Sequence, residues 1–193
     1  MEEQESFSFE EEEDKSFNSE DFEKMKIPLE QEDTNIRVDQ EYKIGKSDKY
    51  LSGLGCSIGR DENNKFLIHA TIIGPNNTPF YGGFYKLKIQ FPSDYPKYPP
   101  EVYFVTQIFH PNVYSDGKIC IEILNNWNSN YSIIDILDAI YILLINPNEE
   151  SPANWEAQKL IIEDKKCEKE GKDNPHNYEK MASEWNSKYA YPV

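Results

Sequence analysis

The hydrophobic residues of this chain follow one period in its middle and another in its last third, which limits its possible folds more than any other feature. Between residues 51 and 106 they recur at every second position, as in Tyr85, Leu87, Ile89 and Phe91, the pattern of a half-buried strand. Beyond residue 132 they recur every three or four positions, as on one face of a helix. Strands followed by helices predict an α+β domain with helices packed on an antiparallel sheet.

Three short strands are predicted, at residues 65–73, 84–91 and 102–105. Turn sequences separate the first two, GPNN at residues 74–77 and YGG at residues 81–83, so the strands are expected to form a meander. The segment FPSDYPKYPP before the third strand contains four prolines. Proline lacks a backbone N–H, so this segment is expected to be rigid and unpaired, and one of its X-Pro bonds could be cis.

The clearest helix signal in the last third of the chain begins at Ser132. Ser132 followed by Asp135 matches a capping box, and Asn146-Pro147 is expected to end the helix. The apolar stripe predicted to face the sheet consists of Ile133, Ile136, Leu137, Ile140, Tyr141 and Leu144.

Other helices are predicted with weaker signals. Two are expected to begin at Ser151-Pro152 and at Asn174-Pro175, each with the polar residue as N-cap and proline as the first helical residue. The charged residues 163–173 between them are predicted to form a surface connection. Residues 35–50 are predicted to form a short, weak helix, because Gly45 lies inside it and an interior glycine costs about 1 kcal/mol relative to alanine.

The acidity of the chain is concentrated in residues 1–34, which hold 14 Asp and Glu residues and 3 lysines, a net charge of −11 out of −15 for the whole chain. We expect this segment to be a disordered acidic tail and residues 35–193 to form the domain. Phenylalanines scattered among the acids leave two functions open for the tail: solubilising the protein, or docking on a partner as an acidic-aromatic segment.

The remaining residues carry a net charge of only about −4, so no nucleic-acid partner is expected, because such binding needs a basic patch. No apolar run approaches the length of a membrane span, and the first residues lack the basic and apolar regions of a secretory signal. The cysteines Cys56, Cys120 and Cys167 match no zinc motif, and neither a metal nor a cofactor is expected. Free thiols suggest a reducing compartment, the cytosol or the nucleus.

The segment HPNVYSDGKIC, from His110 to Cys120, belongs to neither periodic pattern. Taken one at a time, its residues have ordinary explanations: Cys120 as a small buried apolar residue, His110 as a loop histidine and Asn112 as a turn residue. Taken together, the pattern HPNxxxxGxIC resembles the active-site signature of ubiquitin-conjugating enzymes.

The resemblance extends on both sides of this segment. Upstream, GPNNTPFYGGFYKLKIQFPSDYPKYPP is similar to the family's strand pair and proline-rich segment, and Cys56-Ser57 falls where its early strand runs. Downstream, Trp127, LLINPNEESPANWEA and EWNSKYAY also resemble the family. The resemblance implies the fold of the catalytic UBC domain, a four-stranded antiparallel meander with helices packed on it.

By this resemblance the chain is expected to be a transferase of an ATP-dependent conjugation pathway. Cys120 would receive ubiquitin, or a ubiquitin-like protein, as a thioester from an activating enzyme and pass it to a substrate lysine with the help of a ubiquitin ligase. A thiolate suits both steps because it is a good nucleophile and a good leaving group. Asn112 is the expected donor to the tetrahedral oxyanion, although its amide could instead brace the loop.

The resemblance also implies roles for residues around the cysteine. Ser151 falls at a gate position of the active site, with plain helix capping as the alternative. Glu122, two residues past Cys120, is expected to help orient the incoming lysine. The residues assigned to loop structure and supporting packing are His110, Pro111, Trp127 and Tyr95.

Two segments that usually contact other pathway proteins depart from the family pattern. The first helix usually carries basic residues for the activating enzyme, but Asp39, Gln40 and Glu41 intervene here, which puts the choice of activating enzyme in doubt. On the ligase-facing end, Lys97 replaces a common phenylalanine, and the loop at residues 125–130 is one residue shorter than usual before its tryptophan.

A third departure bears on the modifier itself. Asp138 stands where well-studied members offer an apolar residue, commonly leucine, to the apolar patch of the thioester-linked ubiquitin. Two alternative functions also stay open. One is a conjugating enzyme for another ubiquitin-like modifier, because modifier choice lies largely in the poorly matching first helix, and the other is a non-catalytic variant that only binds and scaffolds. The presence of both Cys120 and Asn112 argues against the second.

Overall fold

Four strands form one antiparallel sheet in the computed structural model, which describes residues 34–174 and 177–191. They are β1 (Cys56–Arg60), β2 (Leu67–Ile73), β3 (Phe84–Gln90) and β4 (Glu101–Phe104), and they lie side by side in chain order. The predicted four-stranded meander is thereby confirmed. The predicted acidic tail lies outside the described residues, except for Thr34.

The two faces of the sheet follow from the alternation seen in the sequence. On β3, Tyr85, Leu87 and Ile89 are fully buried, while Lys86 and Lys88 are exposed on the opposite face. Because antiparallel pairing places side chains of neighbouring strands opposite one another, these residues join those of β2 and β4 in one apolar layer.

Helices cover that apolar layer and flank the sheet. Along the described residues they are α1 (Thr34–Ser47), α2 (Lys49–Gly53), α3 (Glu122–Asn125), α4 (Ile133–Ile145), α5 (Trp155–Lys169) and α6 (Tyr178–Tyr189). The capping box of α4 is confirmed, because the Ser132 side chain accepts a hydrogen bond from Asp135 N while Ser132 N donates to the Asp135 carboxylate. The predicted stripe is buried apart from Tyr141, which is half-buried.

The predicted starts of the last two helices were wrong by three residues. Helix α5 begins after Asn154, whose side chain accepts from the backbone of Glu156 and Ala157, and α6 begins after Asn177. Just before α5, Ala153 N and Asn154 N donate to the Pro111 carbonyl at 2.7 and 2.8 Å, which ties the segment after Ser151 to the segment that contains Pro111.

The prediction of a surface connection at residues 163–173 was also wrong over its first part, since α5 continues to Lys169. Glutamate and lysine have good helix propensity, so a charged sequence without an apolar stripe is compatible with an exposed helix. The pair Lys159–Glu163, at 3.8 Å and one turn apart, adds the weak support typical of such pairs.

Helix α1 is better packed than the sequence predicted. A Cβ at Gly45 would lie 2.7 Å from Ile58 Cδ1 and 3.2 Å from Ile133 Cγ2, so glycine allows α1 to approach β1 and α4 closely. Thr34 belongs to the domain rather than the tail, because its hydroxyl oxygen lies 2.7 Å from the Ser93 carbonyl oxygen in the proline-rich segment.

Two further features complete the fold. The Tyr95–Pro96 peptide bond is cis, within the segment where the prolines made a cis bond possible. No helix in the described ranges is both long and apolar enough to cross a membrane.

Candidate active site

The segment between β4 and α3, which carries the HPNxxxxGxIC pattern, folds back on itself as a structured loop. An antiparallel bridge pairs Val113 with Ile119, and Cys120 N donates to the Asn112 carbonyl at 2.9 Å. Gly117 turns the loop with φ +88°, and a Cβ there would lie 2.3 Å from the Phe104 carbonyl oxygen. Glycine is therefore required at this position by both conformation and space.

His110 anchors the start of this loop inside the protein. Its side chain is fully buried, and Nδ1 accepts a hydrogen bond from Asn112 N at 3.0 Å. The other ring nitrogen, Nε2, then carries the proton and donates to the Leu143 carbonyl at 3.1 Å. Burial lowers the pKa of His110 to about 4, so the ring is neutral near pH 7 and joins the loop to α4.

The Asn112 side chain joins the loop to the segment that follows α4. It is fully buried, and its Nδ2 donates to the carbonyls of Asn148 and Ser151 at 2.6 and 3.2 Å. Its Oδ1 accepts from Asn148 N at 2.8 Å. Both ends of the amide are therefore used to brace the loop, the alternative that the sequence left open, and the oxyanion role stays a prediction.

The Cys120 thiol opens onto a groove of about 520 Å³ between the loop, α3 and α4. Cys120 is half-buried, and the groove runs past Asp138 on α4 and Asn148 beyond it. Close to the sulfur lies the side chain of Asn125, whose Nδ2 is 3.8 Å from Sγ. Sequence reasoning missed Asn125, and the only signal pointing to it was the unusual length of the loop that it begins.

Ser151 and Glu122 are both exposed. Glu122 is the first residue of α3 and lines the same groove as Cys120. Ser151 reaches the site through its backbone, because its carbonyl accepts from Asn112. The structure thus brings Glu122 to the groove and Ser151 to Asn112, and their proposed catalytic roles stay predictions.

The residues assigned to support make contacts that hold the loops around the cysteine. The Pro111 carbonyl accepts hydrogen bonds from Ala153 N and Asn154 N, just before α5. The Trp127 indole donates to the Pro96 carbonyl at 2.7 Å, and its ring lies 6.0 Å from that of Tyr95. These contacts tie the segment after α3 to the proline-rich segment.

Glu41, expected to interrupt a basic surface on the first helix, lies instead in the interior with 2% of its surface exposed. Its carboxylate accepts hydrogen bonds from Arg37 Nε at 2.8 Å, from the Tyr95 hydroxyl at 2.9 Å and from Ile133 N at 2.8 Å. Burial raises the pKa of Glu41, and the Arg37 charge opposes that shift. The residue therefore joins α1, the proline-rich segment and α4.

Within the part of the chain that the structure describes, no three or more His, Cys, Asp or Glu side chains come together in a group that could hold a metal ion. The site instead offers one accessible thiol, a groove beside it and polar side chains around it. Such an arrangement can accept an acyl group and transfer it to a nucleophile.

Comparison with known proteins agrees with this chemistry. The family model for ubiquitin-conjugating enzymes matches residues 37–185, so the chain belongs to the ubiquitin-conjugating enzyme family. It is accordingly an acyltransferase of the cysteine-thioester class. Members of this family act between an activating enzyme and ubiquitin ligases.

Two curated relatives illustrate the extent of the similarity. The chain is 46% identical to ubiquitin-conjugating enzyme E2 3 of Arabidopsis thaliana over 114 residues, which cover 58% of this chain and 76% of the relative. It is 41% identical to ubiquitin-conjugating enzyme E2 2 of Trichoderma harzianum over 131 residues, which cover 67% of this chain and 80% of the relative.

Proposed function

We propose that this protein accepts ubiquitin as a thioester on Cys120 and transfers it to the side-chain amine of a lysine. The observation that carries the proposal is the position of Cys120, at the end of the HPN loop with its thiol open to a groove. Cys56 is buried in β1, where burial raises the pKa of its thiol to about 11. Cys167 lies on α5, outside the active-site loop.

The reaction proceeds by two acyl transfers. In the first, the Cys120 thiolate attacks the C-terminal carbonyl carbon of ubiquitin, which is held as a thioester by the activating enzyme, and the other thiolate leaves. In the second, a neutral lysine amine attacks the new thioester. An amine has a pKa of about 10.4 in water, so it must lose a proton before it attacks, and Glu122 and Ser151 are proposed to orient it.

The groove beside Cys120 is proposed to hold the extended C-terminal segment of ubiquitin. The groove begins at the Cys120 thiol and continues along α4 past Asp138. A segment bound in it would therefore extend away from the sulfur in one direction. Holding the thioester in one orientation reduces the entropy that transfer must otherwise overcome.

The alternative with a specific observation in its favour is a different ubiquitin-like modifier. Asp138 lines the groove, and a carboxylate there would lose favourable burial against an apolar modifier surface and add desolvation of a charge. A modifier with a basic surface at that point would fit better. We favour ubiquitin because both curated relatives are named as ubiquitin-conjugating enzymes. The free cysteines support action in the cytosol or nucleus.

The test is thioester formation with a panel of activating enzymes and their modifiers. Wild-type protein should form a reductant-sensitive adduct with ubiquitin, and Cys120→Ser should form a reductant-resistant oxyester. Cys56→Ser and Cys167→Ser are the matched controls and should still charge. A normal thioester on Cys120→Ser would refute the assignment of Cys120, and charging only with another modifier would refute ubiquitin as the cargo.

A further inference from the structure

The hydrogen-bond donors around Cys120 differ in whether they are already used. The Asn112 amide is buried and bonded to Asn148 and Ser151. The backbone N–H of Cys120, which could serve an oxyanion in an acyl-transfer site, donates to the Asn112 carbonyl at 2.9 Å. Either group would have to break an existing bond, within a largely buried loop, before it could serve the reaction.

Asn125 is in the opposite situation. It is the last residue of α3, its side chain is exposed, and its Nδ2 lies 3.8 Å from the Cys120 sulfur. Within the described ranges this is the one side-chain hydrogen bond that its amide makes. Turning that N–H towards a bound thioester would cost a contact with solvent or with the sulfur, and would leave no buried group unsatisfied.

We propose that the Asn125 amide donates a hydrogen bond to the carbonyl oxygen of the Cys120 thioester and stabilises the oxyanion formed during transfer. The proposal rests on the function proposed for Cys120. The thioester oxygen is attached to the carbon bonded to Sγ, so an amide already in contact with Sγ lies close to that oxygen. A rotation of the Asn125 side chain brings it to the roughly 2.7–3.1 Å expected of an oxyanion donor.

The neighbouring structure explains why Asn125 stays near the sulfur. Asn126 is the C-cap of α3, and its N–H donates to the Glu122 carbonyl at 2.8 Å. Trp127 is held by its bond to the Pro96 carbonyl. Asn125, which directly precedes these two residues, therefore has little freedom to move away from the Cys120 sulfur. The loop is one residue shorter before Trp127 than the family pattern, so this register is a property of this chain's own sequence.

The step that Asn125 serves is the second acyl transfer. The lone pair of a neutral lysine amine forms a C–N bond to the thioester carbon, and the carbonyl π electrons move to oxygen, where Asn125 donates. The oxyanion then reforms the C=O bond, the C–S bond breaks, and its electron pair stays on the Cys120 sulfur as a thiolate. The ammonium proton of the intermediate passes to water, which leaves an isopeptide.

The test compares single-turnover discharge of the charged protein to free lysine at a series of lysine concentrations. In this experiment kcat stands for the discharge rate constant at saturating lysine, and KM for the lysine concentration that gives half of it. Asn125→Ala should lower kcat by about a hundredfold, the effect of losing one oxyanion donor, with KM for lysine unchanged. Asn125→Asp, whose side chain has no N–H, should be as slow as Asn125→Ala, and Asn125→Gln should recover part of the rate. The yield of thioester at completion should equal that of wild type, because thiolate exchange is intrinsically easier than aminolysis.

Asn130→Ala is the matched control, because Asn130 is an exposed asparagine of the same loop whose side chain makes no hydrogen bond that the described residues show. It should discharge at the wild-type rate, and both alanine variants should keep the wild-type Tm. An unchanged kcat in Asn125→Ala, an effect on KM alone, or an equal loss in Asn130→Ala would overturn the proposal. If wild type itself forms no thioester, the function proposed for Cys120 fails and this role fails with it.

Discussion

The phenol of Tyr50 donates a hydrogen bond to Oδ1 of Asp138 at 2.5 Å, which joins α2 to the side of α4 that lines the groove beside Cys120. Tyr50 is 55% exposed, so the pair lies at the surface. The same bond raises the pKa of the Tyr50 phenol. The Asp138 carboxylate is therefore held by Tyr50 rather than freely solvated.

Asp138→Leu is expected to raise ligase-free discharge to free lysine several-fold if the modifier is ubiquitin. An apolar side chain would bury surface against the apolar patch of the folded-back modifier and remove the cost of desolvating a charge. The measurement is the discharge rate of the preformed thioester. Tyr50→Phe is the matched control: it removes the hydrogen bond, keeps the carboxylate and should discharge at about the wild-type rate. Unchanged or slower discharge in Asp138→Leu, with charging intact, would point to a basic modifier or another closed geometry.

Asn112→Ala separates the two roles that the sequence left open for this residue. The buried bonds to Asn148 and Ser151 predict that the variant loses about 1–3 kcal/mol of unfolding free energy, because backbone groups are left unsatisfied. Charging and discharge should then fall together. Denaturant unfolding and both rates are the measurements. An unchanged stability with a defect in discharge alone would instead support Asn112 as an oxyanion donor.

His110 is expected to make the protein less stable in mild acid. The folded protein keeps the ring neutral until about pH 4, whereas the unfolded chain binds a proton below about pH 6.5. The unfolded state therefore holds more protons in this window, and stability falls as the pH falls from 6.5 to 4. The total loss attributable to this residue is about 3 kcal/mol.

The prediction is tested by measuring the free energy of unfolding as a function of pH for the wild-type protein and for His110→Gln. The variant should be less stable near pH 7 but should show a shallower decline between pH 6.5 and 4. Parallel curves for wild type and His110→Gln would contradict the prediction.

Local patterns accounted for much of the fold and for the loop that carries Cys120. The alternation on β3, the capping box at Ser132 and the stop at Asn146 each depend on residues a few positions apart. The glycine at position 117 is also explained locally, because the loop turns there with a positive φ. The HPNxxxxGxIC pattern placed Cys120, because its spacing reflects one compact loop.

Features that depend on residues distant in the chain were decided by packing. Glu41 looks like a surface acid in the sequence, yet its partners Tyr95 and Ile133 lie 54 and 92 positions away. Asn154, and not Ser151, caps α5, and the Pro111 carbonyl, from a separate loop, binds the N–H groups of Ala153 and Asn154 just before the helix. Short-range periodicity determines which face of an element is apolar, but hydrogen bonds between distant segments determine where elements begin and which polar groups are buried.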